Sequence, residues 1–371
     1  MNESRAFKEY YDAEMARRLA GDIAAVYPNF PTLAFVEQVA PQLPPLELKQ
    51  RVAIFSAALR DYLPADYPAA LQILLATLGP PLTENQGMFK DRWHLMPMAH
   101  FVEVYGHEHF DESMAAIHAI TQRFTGEWAI RPFLQRYPAR ALAVLQTWVY
   151  DESFHVRRLV SEGTRPRLPW ATRIPEFSQN PQPMLALLSA LKHDPSAYVR
   201  RSVANHLNDI GKEHPDLLLA TMEEWNADAT EATRWIINHA LRSLVKQGHP
   251  AALRLVGATE AQVALEAFMV DPARLSIGES TTLHLRLRSL AEAPQQLVID
   301  YVLHLAGAAG RQARRKVFKL RTLSLAAGET FSLSRRHSFQ AVSVRRYYPG
   351  PHRFELQVNG NILAGVDVEV Y

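Results

Sequence analysis

Cysteine is absent from all 371 residues. Its absence excludes disulfides, thiolate metal sites and a cysteine nucleophile, and it fits a reducing compartment. An excess of either charge is also missing. With 40 basic residues against 38 acidic ones, any surface for a polyanion has to be a local patch. No apolar run approaches the roughly 18–20 residues needed to cross a bilayer. The start, Met1-Asn-Glu-Ser-Arg, lacks the apolar centre of a secretion signal. There is no glycine-rich phosphate loop of the Walker or Rossmann type, no Gly-x-Ser-x-Gly elbow and no His-Glu-x-x-His. His100, His107, His109 and His118 form only a loose set without tight ligand spacing, so neither a metal nor another cofactor is expected. What remains is the composition of a soluble cytoplasmic protein long enough for two domains.

Up to about Gly257 the chain reads as helix. Tyr10 to Val26, Leu46 to Tyr62, Tyr67 to Leu78 and Trp93 to Tyr105 place apolar residues three and four apart, with breaks at Tyr27-Pro28, Pro44-Pro45 and Pro80-Pro81. Short helices with short breaks suggest antiparallel pairs. Two echoes sharpen this. Asp151-Glu-Ser-Phe-His-Val-Arg-Arg-Leu-Val aligns with Asp194-Pro-Ser-Ala-Tyr-Val-Arg-Arg-Ser-Val at an offset of 43 residues, and Leu207 to Pro215 resembles Leu241 to Pro250. Helix-pair repeats of about 40–47 residues have the HEAT/armadillo spacing. Stacking such units would line equivalent arginines along one concave face. Otherwise each Val-Arg-Arg packs its valine and solvates its arginines.

From Ala258 the grammar changes. Ser280 to Ser289 alternates apolar and polar residues, Leu297 to Leu305 is rich in Val, Ile, Tyr and Leu, and Arg353 to Leu363 reads as two strands joined at Asn359-Gly360. The expectation is an all-α HEAT-like repeat solenoid over 1–257, followed by a small all-β, immunoglobulin-like sandwich over 258–371. The tail holds 14 Lys and Arg against 10 Asp and Glu, clustered at Arg311, Arg314 to Lys316, Arg335-Arg336 and Arg345-Arg346. Those clusters are either phosphate contacts or solvated strand edges.

The stretch Phe154 to Trp170 concentrates the chemistry. It reads as a helix with Arg157, Arg158 and Glu162, closed by Gly163, then an arm with Arg165 and Arg167 that Pro166 and Pro169 keep extended, ending in an indole. Two further carboxylates lie near expected helix ends. Glu127 follows the Thr125-Gly126 break and opens a helix carrying Arg131, a position that the helix dipole favours anyway. Asp209 comes near the end of the helix holding Arg200 and Arg201, where the dipole opposes it.

Three blocks carry a family resemblance: Phe124 to Phe133, His155 to Trp170, and Tyr198 to Lys212. They resemble the conserved blocks of the AlkC branch of bacterial alkylpurine DNA glycosylases, built from HEAT-like repeats, some with an immunoglobulin-like domain. Trp128 departs from the block, where Phe is usual, and should alter packing more than chemistry. The resemblance implies a monofunctional glycosylase that removes 3-methyladenine and 3-methylcytosine from double-stranded DNA without fully flipping the base. The chain would act as a monomer. Glu127, Glu162 and Asp209 would stabilise an oxocarbenium-like sugar and orient water, with Trp170 against the sugar or lesion. Arg131, Arg157, Arg158, Arg165, Arg167, Arg200, Arg201, Arg234 and Arg242 are then candidate phosphate contacts, as are Arg315, Lys316, Arg345 and Arg346 in the tail. The competing reading is a non-catalytic repeat scaffold for DNA or protein. The carboxylate set separates the two.

Overall fold

A computed structural model describes residues 6–84, 92–308, 314–342 and 345–371. Arg311 lies outside them. Helices run as far as Leu255 and strands begin at Val263. The chain divides into two compact units, Met1–Ile210 and Gly211–Tyr371. No helix among the described residues is long and apolar enough to cross a membrane.

In the first unit the expected helical stretches form with small shifts at their ends. Tyr10 to Val26 becomes a 3₁₀ turn, Phe7–Tyr10, and a helix, Ala13–Val26, because the Asp12 side chain accepts the Met15 amide and caps a fresh start. The turn is tied down by Arg51. Its buried guanidinium donates to the carbonyls of Lys8, Tyr11, Leu46 and Pro44.

The 43-residue echo is a structural repeat. Helices Phe154–Gly163 and Ala197–Ile210 are each preceded by an aspartate that accepts the amide two residues on, Asp151 from Ser153 and Asp194 from Ser196, both at 2.8 Å. The first arginine of each pair turns back on its own loop. Arg157 donates to the carbonyls of Asp151 and Glu152 (2.8 and 3.0 Å), and Arg200 to those of Asp194 and Pro195 (2.6 and 2.8 Å). Arg157 also grips Asp194 of the next repeat with Nε and Nη2 (2.6 and 3.2 Å). The expected row of equivalent arginines on one face is therefore corrected. Arg157 and Arg200 staple loops to helices, since otherwise those carbonyls would lack donors.

The second unit holds helices Pro215–Asn226, Glu231–Ala240, Arg242–Lys246 and Pro250–Leu255, followed by eight strands. They are β1 (Val263–Asp271), β2 (Arg274–Leu275), β3 (Ser280–Ser289), β4 (Gln295–Leu305), β5 (Arg314–Leu325), β6 (Thr330–Ser338), β7 (Gly350–Val358) and β8 (Asn361–Val370). One sheet has the order β1-β3-β6, the other β2-β8-β7-β4-β5, antiparallel except where β2 meets β8. Alternating residues from both sheets fill the core, among them Leu285, Leu287, Leu297, Ile299, Leu356 and Val358. The expected Asn-Gly turn joins β7 to β8, with Asn359 and Gly360 at φ 43° and 84°. This hairpin tip meets the helices of its own unit. Asn359 Nδ2 donates to the Thr259 carbonyl (2.6 Å), and Gln357 Nε2 to that of Lys246 (3.2 Å).

Gly360 and Gly248 approach backbone to backbone, so a Cβ on Gly360 would stand 2.8 Å from the α-carbon of Gly248. Gly360→Ala adds that clash to an unfavourable φ. It should cost about 1–3 kcal/mol, read as a lowered urea midpoint with an unchanged slope.

Candidate active site and nucleic-acid interface

Glu127, Glu162 and Asp209, spread over more than eighty residues, meet in one buried chain of alternating charge. Arg158 Nη1 donates to Glu127 Oε2 at 2.7 Å, and its Nη2 lies 3.6 Å from Glu162 Oε1. Arg165 Nη1 donates to the same Glu162 oxygen at 2.7 Å, while its Nε and Nη2 reach Asp209 Oδ2 at 2.9 and 2.8 Å. The order is Glu127, Arg158, Glu162, Arg165, Asp209. Arg131, buried nearby, adds its charge to Glu127 and Arg165 through space. The carboxylates are nearly sealed, at 7, 6 and 2% exposed, so their mutual repulsion would be severe without the cations between them.

Each member is placed by a local device. Glu127 lies in the turn before a helix that begins only at Arg131, which corrects the expectation that it opens a helix. Thr125 Oγ1 donates to its carboxylate at 3.0 Å. Glu162 ends helix Phe154–Gly163, and Ser202 Oγ donates to its Oε2 at 2.6 Å. Gly163 does not terminate the helix through a left-handed turn. It is needed for space, since a Cβ would stand 2.8 Å from Ile130 Cγ2. Asp209 occupies the last turn of its helix, where Arg165 supplies the charge that the dipole does not. His206, one turn earlier, donates from Nδ1 to the Ser161 carbonyl (2.9 Å). Burial holds its pKa down at about 4, so it stays neutral near neutral pH.

Burial pushes the Glu162 carboxyl up, but Arg158 and Arg165 outweigh it and hold it below the usual carboxylate range. Burial likewise works against the charge on Arg158, and Glu127 and Glu162 reverse that, raising it. Glu162 therefore stays ionised at neutral pH. Tyr198 offers its ring face to Arg158 at 5.0 Å.

The arm from Gly163 onward is clamped by side chains. Arg131 donates to the carbonyls of Gly163, Arg165 and Thr172 at 2.6–2.9 Å. Trp128 Nε1 donates to the Pro169 carbonyl at 3.2 Å, a bond that Phe could not make, and its ring stacks on Trp170 at 6.4 Å. Trp170 itself is 55% exposed.

This geometry redistributes the expected phosphate contacts. Arg131, Arg158 and Arg165 spend their guanidiniums inside the protein, on carbonyls or carboxylates. Arg157 and Arg200 hold loops. Arg345 lies over the rings of Phe318 and Tyr347 (5.0 and 5.2 Å). None of these six fits a simple surface contact. Arg201, Arg234, Lys316 and Arg346 are exposed, Arg315 is exposed with Nη2 on Gln357 (3.3 Å), and Arg167 and Arg242 are half-buried. Sequence reasoning missed Thr125, Tyr198 and Ser202 as supports of the acids. One signal was available: the echo aligns Ser202 with Leu159, so a hydroxyl replaces a core leucine.

A family model for DNA alkylation repair enzymes matches residues 102–244, and one for the C-terminal immunoglobulin-like domain of uncharacterised protein YhaZ matches 264–371. The Bacillus subtilis protein YhaZ is 37% identical over 366 residues, which are 98% of this chain and 99% of that one. The solved structure of Pseudomonas fluorescens alkylpurine DNA glycosylase AlkC, bound to DNA with an abasic-site analogue, superposes with a TM-score of 0.91. It is 40% identical, covering 99% of this chain and all of that one. The chain belongs to the AlkC family. The family accounts for helical repeats and an immunoglobulin-like sandwich in one polypeptide.

The lowered Glu162 pKa carries a signed prediction. A depressed carboxyl contributes stability that is fully present above its unfolded value of about 4.3 and is lost as pH falls through the folded value. The stability gap between wild type and Glu162→Gln should thus be widest near neutral pH and close below about pH 4. Urea melts at stepped pH measure it, and a gap independent of pH would contradict the assignment.

Proposed function

We propose that this chain is a monofunctional DNA glycosylase of base excision repair that hydrolyses the N-glycosidic bond of cationic alkylated bases in duplex DNA. Its substrates are 3-methyladenine and 3-methylcytosine, reached without swinging the base fully out. It acts as a monomer in the bacterial cytoplasm and needs no metal or other cofactor. Residues 1–257 carry the chemistry, and 258–371 add contacts to the duplex. The observation that carries this reading is the convergence of Glu127, Glu162 and Asp209 into one ion-pair network next to the arm bearing Trp170.

The chemistry follows from charge. Alkylation leaves the base cationic, so the bond to the sugar is already weakened and the base departs neutral. Positive charge then develops on the deoxyribose, as in glycoside hydrolysis generally. Fixed carboxylates in a water-poor setting stabilise that charge without having to reorganise. One of them orients the water that attacks C1′ and takes its proton. Arg158 and Arg165 hold the three acids in place and keep Glu162 ionised. The exposed indole of Trp170 packs on the sugar or the cationic lesion.

Glu127→Gln, Glu162→Gln and Asp209→Asn should each slow release of free 3-methyladenine from methylated duplex by about 100-fold or more, with binding of undamaged duplex retained. Release indifferent to all three substitutions would reject the site.

Phosphate contact falls to the exposed cations. Arg201→Ala and Arg234→Ala should each weaken duplex binding without regard to sequence and lower the salt slope by about 0.9. Arg157→Met should instead lower the unfolding midpoint and leave the slope intact, because its partners are Asp194 and loop carbonyls. Fluorescence anisotropy across a salt series distinguishes the two kinds of arginine.

A further inference from the structure

Trp170 has φ 60°, the left-handed region that a bulky side chain occupies only where its surroundings over-determine it. The indole does not force that conformation by burying itself, being 55% exposed. Its backbone is held instead. The carbonyl before it, on Pro169, accepts from Trp128 Nε1. The carbonyl of Thr172 accepts from Arg131. Trp170's own carbonyl accepts from Lys49 Nζ, a residue of helix Leu48–Tyr62 distant in sequence. Three donors from two separate stretches of the chain thus hold three of four consecutive carbonyls of the arm.

Lys49 is the member of this clamp that neither the sequence motifs nor the acid network accounts for. It is exposed, so burial does not dictate its place. With His100, Glu103 and Trp128 it lines a cavity of about 70 Å³. Burial raises the Glu103 carboxyl, and the Lys49 ammonium is the largest influence opposing that rise. The ammonium thus stands between a partly buried acid on helix Met96–Tyr105 and the carbonyl of the strained residue. Phe7, on its anchored turn, closes the other side of the indole at 6.3 Å, edge to face.

We propose that Lys49 is a positioning residue: its bond to the Trp170 carbonyl locks the left-handed backbone and so fixes where the exposed indole stands. The inference rests on the reading that Trp170 works on the damaged nucleotide. Lys49 acts through Trp170 and has no separate part in the chemistry. Without it, the arm relaxes toward ordinary backbone angles and the ring leaves its place beside Trp128. Displacements of that size at a remote support cost about 10–100-fold in rate.

A double-mutant cycle on the full chain tests this. Single-turnover release of 3-methyladenine is measured for wild type, Lys49→Met, Trp170→Ala and the double variant, with Lys49→Arg as the conservative control. Lys49→Met should slow release about 10–100-fold in the wild-type background and have little effect once Trp170 is alanine. Lys49→Arg should restore most of the rate, and affinity for undamaged duplex should hold. Equal losses in both backgrounds overturn the proposal, as does no loss at all. So does a fall in undamaged-duplex affinity with a shallower salt slope, which would make Lys49 a phosphate contact. Should the wild type release no base, the catalytic reading fails. The same cycle, read as affinity for duplex holding an abasic-site analogue, then decides the proposal alone: coupling upholds it and additivity overturns it.

Discussion

Three carboxyl groups can stand together inside this protein only because two guanidiniums separate them. The repulsion between buried acids and the cost of drying them would otherwise protonate at least one. Arg158 and Arg165 remove that penalty by alternating with Glu127, Glu162 and Asp209. Much of the first unit serves this arrangement. Thr125 and Ser202 each add a donor to a carboxylate, Gly163 lets Ile130 come close, and neutral His206 fixes one repeat helix against the next through the Ser161 carbonyl. Arg131 contributes from beneath. Burial pulls its pKa to about 10, low for a guanidinium yet still protonated at neutral pH, and it ties the arm that follows Glu162.

The same constraint explains which arginines reach the surface. Arg157-Arg158 and Arg200-Arg201 are the same dipeptide at the same place in two repeats, yet only the first members behave alike. Arg157 and Arg200 return to loop carbonyls that every such repeat leaves in need of donors. The second members diverge, because Arg158 faces Glu127 and Glu162 while Arg201 is exposed. A repeat fold sets the direction of a side chain, and the neighbouring repeat decides what that side chain meets.

Much of this was legible in the sequence. The 43-residue echo located two structurally equivalent helices, Ser280 to Ser289 alternated as a strand with one buried face, and Asn359-Gly360 marked its hairpin. The acids stood out by their places beside expected helix ends, the resemblance of three blocks suggested their role, and the structure brings those blocks together. Pairing was not legible. Nothing local distinguishes an arginine that neutralises a buried acid 31 residues away from one that meets solvent, since the cost of drying an ion depends on the whole surrounding volume. Glu127 was misplaced at a helix start for a simpler reason. Thr125-Gly126 does break a helix, but residues 126–130 spend a turn before the next begins at Arg131. The tail was read as solvated or DNA-facing charge, and the half-buried Arg345 adds a third use, lying over two aromatic rings.

The charge balance of the network bears on the kind of substrate it suits. A third guanidinium, that of Arg131, acts on Glu127 and Arg165 through space but gives its hydrogen bonds to carbonyls. Without Arg158 and Arg165, burial would push the Glu162 carboxyl up, and a neutral acid stabilises an oxocarbenium-like sugar poorly. With both in place Glu162 keeps its charge, and each of the three acids has a guanidinium beside it. That balance suits a reaction in which the leaving base carries its own positive charge. The catalyst then has no leaving group to protonate, and its groups need only face the sugar and the water.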